Sequence, residues 1–139
     1  MIDPTKCKII TVNNRLYQLH PNGFVMDNNG KKAGWTVKTT VKNKSGKTKT
    51  KSGYTQFANN QLLHRWIYAT FTDWSKARVP RKFPGGYKAW NVLSNKQRKD
   101  FVWDFMVIDH DDNNSQNNRL WNLVAMSLRE NSTKGDKAA

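Results

Sequence analysis

Two short apolar runs, "MVID" at 106–109 and "NLVAM" at 122–126, stand on either side of a stretch crowded with Asp, His and Asn. Asn and Asp side chains compete with the hydrogen bonds of a helix and favour turns. Apolar runs of this length, bounded by turn residues, are strand-like. The spacing therefore predicts strand, long polar loop, strand. Ser127-x-x-Glu130 has the form of a capping box and predicts a short helix after the second strand. In a hairpin packed on a helix, Asp109 and His110 at the end of the first strand, Asn122 at the start of the second and Asn131 in the first helical turn are able to converge.

That convergence is unexpected in so basic a chain. Lys and Arg number 24 against 10 Asp and Glu, a net charge of +14, yet Asp109, Asp111 and Asp112 crowd around His110. Such a charge favours a polyanion, because each phosphate neutralised releases condensed counterions. Nucleic acid is the expected partner and an acidic protein the alternative. A membrane is not expected, since no apolar run approaches the roughly 18 residues of a bilayer span and no basic amphipathic helix is clear. The lone Cys7 has no disulfide partner, no Cys-x-x-Cys suggests zinc, and "MIDPTKCKII" does not read as a secretory signal. A cytoplasmic protein is expected. Its 139 residues suffice for one compact domain or two small modules.

Residues 1–58 read as short strands and turns. "RLYQL" and "GFVMD" flank the turn cluster His20–Gly23, and Asn28-Asn29-Gly30 marks another turn. "GWTVKTTVK" sets Trp35, Val37, Thr39 and Val41 on one face and Lys38, Thr40 and Lys42 on the other. Asn43–Gly46 turns the chain into "KTKTK", with Lys47, Lys49 and Lys51 aligned. Residues 31–51 hold eight lysines, Lys44 among them, and no acid. They form either a solvated hairpin whose lysines block edge pairing or a ribbon laid on DNA phosphates. "NNQLLHRWIYATF" predicts a helix capped by Asn59 or Asn60, with Leu63, Trp66, Ile67, Thr70 and Phe71 at helical spacing. Residues 73–93 read as an irregular basic connector carrying Arg78, Arg81 and Lys82 as further candidate DNA contacts. Most of the Trp residues are expected in the core, with Trp74 and Trp90, in the basic connector, offering the alternative of stacking on bases. Ser94-x-x-Gln97 opens a helix whose Phe101, Val102 and Phe105 face inward.

The set Asp109, His110, Asn122 and Asn131 suits phosphodiester hydrolysis. A carboxylate and an amide oxygen are hard ligands that leave most of a Mg²⁺ shell to water and phosphate. A neutral imidazole beside them can take a proton from water. On this reading the acid serves a metal and the basic surface serves the DNA.

The whole stretch "VIDHDDNNSQNNRLWNLVAMSLREN" resembles the ββα-metal core of the HNH endonucleases, close to the phage homing endonuclease pattern. Asp109, His110, Asn117, Asn118, Asn122, Leu123, Ser127, Glu130 and Asn131 carry the match, in the variant whose last letter is Asn. The resemblance implies His110 as general base, Asp109 and Asn131 as ligands of Mg²⁺ or Mn²⁺ rather than zinc, and Asn122 as the residue that pins the loop and orients His110. Upstream, "YQLHPNGFV" and "GYTQFANNQLLHRWIYATF" are similar to the β-rich module that precedes the core in many of these enzymes. The chain departs from them at residues 72–108, a longer link that includes the helix at 94–105.

The fold expected is α+β, a β-rich N-terminal module followed by a C-terminal ββα-metal core. Its divisions are a DNA-binding module at 1–72, a connector at 73–93 and the core with its preceding helix at 94–139. The function expected is a metal-dependent endonuclease on double-stranded DNA, possessing one site for one strand, as a monomer or weak homodimer. The alternative is a DNA-binding protein that keeps the HNH shell only to bind. Arg119 either meets a phosphate near the cut or is solvated, Asp111 and Asp112 cap the loop or one of them reaches the metal through water, and His20 and His64 are structural.

Overall fold

Asn13 and Asn14 both adopt positive φ, 52° and 63°, as the two-residue turns that suit twisted hairpins require. They fold β1 (Lys8–Val12) back onto β2 (Arg15–His20), with Val12 opposite Arg15. β1 has no period-2 apolar pattern to single it out; Asn13-Asn14 is its strongest local signal. The next turn is tied by His20, whose Nδ1 accepts from the Asn22 N–H at 3.0 Å, and leads into β3 (Phe24–Asp27). Asp27 Oδ1 then accepts from the N–H groups of Asn29 and Lys31, closing the expected Asn-Asn-Gly turn.

The computed structural model describes residues 6–127, and at Thr39, Val41, Lys49, Thr50, Lys51 and Ser52 the backbone alone. The helix expected to open at Ser127, and Asn131 with it, lie outside the described residues. Within them the fold is α+β, with three small antiparallel sheets, the first in the order β1-β2-β3, and three α-helices.

β4 (Trp35–Lys42) and β5 (Thr48–Phe57) form the lysine-rich ribbon. Asn43 Oδ1 holds its tip by accepting from Ser45 and Lys47 N–H. The alternation expected through Val37 is interrupted by a register shift between Thr36 and Lys38. Lys38 pairs with Ser52 and Lys42 with Thr48, whereas Lys49 pairs with Val41 and Lys51 with Thr39, so the β4 and β5 lysines occupy alternate register positions.

Ala58 and Asn59 turn the chain with φ of 48° and 76°, and β6 (Gln61–Leu62) pairs back onto Gln56 and Phe57 of β5. This turn corrects the expected helix start. Asn59 and Asn60 are used before the helix begins, and α1 (Leu63–Phe71) opens after Leu62 without a side-chain cap.

The connector is less irregular than expected, since it contains the short helix α2 (Gly86–Asn91). Trp74 and Trp90 are core residues and not platforms for bases. They are 7% and 1% exposed, and their indole N–H groups donate to the carbonyls of Ala69 and Ala77. Arg98 of α3 (Asn95–Phe105) is buried among them, donating to the carbonyls of Trp74, Ser75 and Trp90. α3 begins with the expected capping box of Ser94 and Gln97. Val102 is buried, but Phe105 is 67% exposed. At the last turn it packs on Phe101 at the edge of the core and not within it.

β7 (Val107–His110) and β8 (Leu123–Met126) form the expected hairpin, with a 3-10 turn at Leu120–Asn122. Its register pairs Ile108 with Ala125, Asp109 with Val124 and His110 with Leu123. One cluster of buried side chains joins Val12, Leu19, Phe57, Leu63 and Ile67 to Trp90, Val102, Ile108 and Leu123. Both halves of the chain share it. No helix among the described residues is long and apolar enough to cross a membrane.

Candidate active site

The polar loop between β7 and β8 is tied by its own amides. Asn122, 1% exposed, donates from Nδ2 to Asp112 Oδ1 and to the Asn117 carbonyl, both at 2.9 Å. Its Oδ1 accepts from the Asp112 N–H at 3.2 Å and its carbonyl from the Asp111 N–H at 2.8 Å. Asp112 accepts in addition from the Asn114 N–H and from Asn117 Nδ2. The Asn117 amide, the Asn114 N–H and the Asn122 amide, in that order, hold the Asp112 carboxyl at about 2, below its ordinary 3.8. Part of the acid knot is therefore explained without a metal, because Asp112 organises the loop.

His110 lies at the end of β7, 3% exposed. Its Nε2 is 2.8 Å from Asn118 Oδ1. An amide oxygen only accepts, so Nε2 is the donor of this pair. Asn118, matched in sequence but given no role there, is thus the residue that orients the ring. Asn122 acts at one remove, by fixing the Asn117 carbonyl next door.

Two rings cover His110. Tyr54 of β5 stacks on it at 5.8 Å and 17°, and His64 of α1 lies 4.7 Å away at 51°. Tyr54 and His64 also meet, at 4.9 Å. Both belong to the upstream pattern, in "GY" and "HR", but only the fold brings them to the hairpin. Burial, then the neighbouring His110 and Arg65, hold His64 at about 3, well below its ordinary 6.5, while Asp109 and a hydrogen bond with the Ile108 backbone oppose the shift. His64 is neutral at physiological pH and adds no positive charge beside His110.

The loop rests on the N-terminal half at two further places. Gly23, at φ +94°, approaches it so closely that a Cβ there would lie 2.7 Å from the Asn118 carbonyl carbon, and the Leu120 N–H donates to the Pro21 carbonyl. At the base of the ribbon, Thr36 Oγ1 donates to Gln116 Oε1 at 2.7 Å, and Ser115 Oγ and Gln116 Nε2 donate to the Gly53 carbonyl.

Of the two expected metal ligands, Asp109 stands half-buried at the strand end beside His110, and Asn131 lies outside the described residues. No group of three or more His, Cys, Asp or Glu side chains able to hold a metal occurs among the described residues. A single carboxylate with an amide oxygen fits a hard cation that keeps most of its shell for water and phosphate. It does not fit a closed structural zinc site.

The candidate DNA contacts are dispersed. Lys38, Lys42, Lys44 and Lys47 are exposed on the ribbon, and the side chains of Lys49 and Lys51 are outside the description. Arg78, Arg81 and Lys82 are exposed on the connector. Arg78 and Arg81 border a cavity of about 310 Å³ that also reaches Met106 and Val124, the register partner of Asp109. Arg119 is exposed and donates to Asn117 Oδ1 at 3.1 Å, which keeps it beside the loop. No protein-family model, curated protein or solved structure matches the chain.

Proposed function

We propose that the chain is a metal-dependent DNA endonuclease of HNH type. The observation that carries this reading is the orientation of His110, buried at a strand end with Nε2 on Asn118 Oδ1 and Asp109 immediately before it. That is the arrangement a general base requires, a neutral imidazole whose tautomer is set by a second side chain. His110 would take a proton from the water that attacks a phosphodiester, leaving 5′-phosphate and 3′-hydroxyl ends. Asn118 holds the ring through the transfer, and Asn122 keeps the loop, and so Asn118, in place. Mg²⁺ or Mn²⁺, held by Asp109 and by Asn131 of the expected following helix, would stabilise charge on the phosphorane and the leaving 3′ oxygen. The surface lysines and arginines, with Arg119 held beside the loop, would bind double-stranded DNA. With one such site per chain, the product is a nick, and a double-strand break takes two chains or two events.

The burial of His110 favours a second reading, a DNA-binding protein that uses the HNH shell without cutting. Incubation with supercoiled plasmid and Mg²⁺ or Mn²⁺, with EDTA and His110→Ala controls, separates the two. The nuclease gives open-circle DNA with metal and wild-type protein only. Cleavage by His110→Ala equal to wild type would remove His110 from the role of base. Metal-dependent cleavage absent on plasmid and on the encoding genome alike, with DNA binding intact, would establish the second reading.

A further inference from the structure

A cavity of about 200 Å³ opens beside the same loop, on the side of the β2–β3 hairpin and the start of β4. Its walls include Phe24 and Trp35, with Lys32, Thr36, Gln116 and Asn118. We propose that it receives one unstacked nucleobase of a DNA strand, with a neighbouring phosphate on Lys32. This rests on the DNA-binding part of the reading above and not on cleavage.

Phe24 and Trp35 leave 48% and 44% of their surface exposed, and of the exposed aromatic side chains among the described residues they are the two that line this cavity. Two large aromatic side chains bordering one concavity mark a binding surface more than a packing fault. Every base has a π-face, so stacking on aromatic side chains needs no particular sequence. Around those rings, Thr36 Oγ1 and the Gln116 amide bond to each other and Asn118 Oδ1 meets His110, so the Asn118 Nδ2 group and the remaining lone pairs of these oxygens are what would read an unstacked base along its edges. The lining has a lysine and no acid. Its occupant is therefore expected to combine a flat apolar body with negative charge, and in a chain of net charge +14 a nucleotide has both. Asn118 is shared between this cavity and the hydrogen bond to His110. A base held here would bring its backbone within one side chain of the candidate site.

The test compares a thymidine 12-mer with an abasic 12-mer carrying the same phosphates, by fluorescence anisotropy in EDTA. Wild-type protein is expected to bind the base-bearing strand about tenfold more tightly. Trp35→Ala should abolish that preference while leaving the abasic affinity unchanged, and Trp35→Phe should restore most of it. If Trp35→Ala fails to fold, Phe24→Ala supplies the same reading from the β3 wall. Equal affinity of wild-type protein for the two strands, or equal loss on both in a folded variant, would overturn the proposal. Preferential binding of an acidic peptide with no base preference would overturn it as well. Since EDTA suppresses cleavage, a negative result here leaves the plasmid assay standing, and an inactive nuclease leaves the base preference measurable.

Discussion

Asn118 and Asn122 divide a task that the sequence assigns to one residue. Asn122 ties the loop through Asp112 and Asn117, and Asn118 touches the imidazole. The matched spacing made both legible as important, but which amide meets the ring depends on the path of the loop. Asn122→Ala would leave a buried carbonyl and the Asp112 N–H without their partner, so it should cost about 2–3 kcal/mol in urea denaturation. A loss under about 0.5 kcal/mol would show that the loop holds its shape without Asn122. His64 gives a prediction with a definite sign. Its folded pKa, about 3, lies below the ordinary 6.5, so between these values the unfolded chain binds the extra proton. Its contribution is fully present above pH 6.5 and is lost as pH falls towards 3, by up to about 5 kcal/mol. Denaturation midpoints of wild type and His64→Phe across that range should diverge, the variant having the shallower slope. Asp112 adds a loss of the same sign only from pH 3.8 down to about 2, so His64→Phe should leave that acid limb unchanged. Parallel curves across the whole range would dismiss His64 as the group responsible.

At the scale of elements, the ribbon and the connector differ in what their basic residues do. On the ribbon, Lys38, Lys42, Lys44 and Lys47 are exposed, and replacing all four should flatten the salt dependence of DNA binding by up to roughly 0.9 log units per lost contact. An unchanged slope would return the ribbon to a solvated hairpin. The cation that holds the connector is Arg98 of the following helix α3, which nothing local in the sequence separates from its neighbours. It is 7% exposed and donates to three carbonyls beside the Trp90 ring. Arg98→Leu should destabilise the protein by about 3 kcal/mol in thermal or urea unfolding, with little change in the salt slope. The hairpins at His20, Asn43 and β7–β8 and the box at Ser94 were legible because turn and cap chemistry is local. The start of α1, the helix α2 and the burial of Trp74 and Trp90 were not. Asn59 reads equally as a cap or a left-handed turn residue until β6 pairs with β5, and a basic stretch gives no sign that its two Trp residues point inward.

Over the whole molecule, the loop of residues 111–119 takes its form from three directions: its own amides, the Pro21–Gly23 turn and the Gly53 end of the ribbon. Gly23→Ala places a methyl group against the Asn118 backbone in a conformation that L residues avoid. It should lower stability by more than about 1 kcal/mol and, on the reading proposed here, reduce nicking more than DNA binding. Nicking unchanged in a destabilised variant would show that the loop tolerates the displacement. The chemical resemblance was concentrated in some 25 residues, and those residues alone suggest a self-sufficient cassette. The supports from Pro21 and Gly53 argue otherwise. Moved to a foreign scaffold, the hairpin would leave its bracing behind and arrive with a slack loop. Lineages that exchange such parts by recombination would therefore have to carry the N-terminal strands along with the hairpin, or rebuild an equivalent buttress from new sequence.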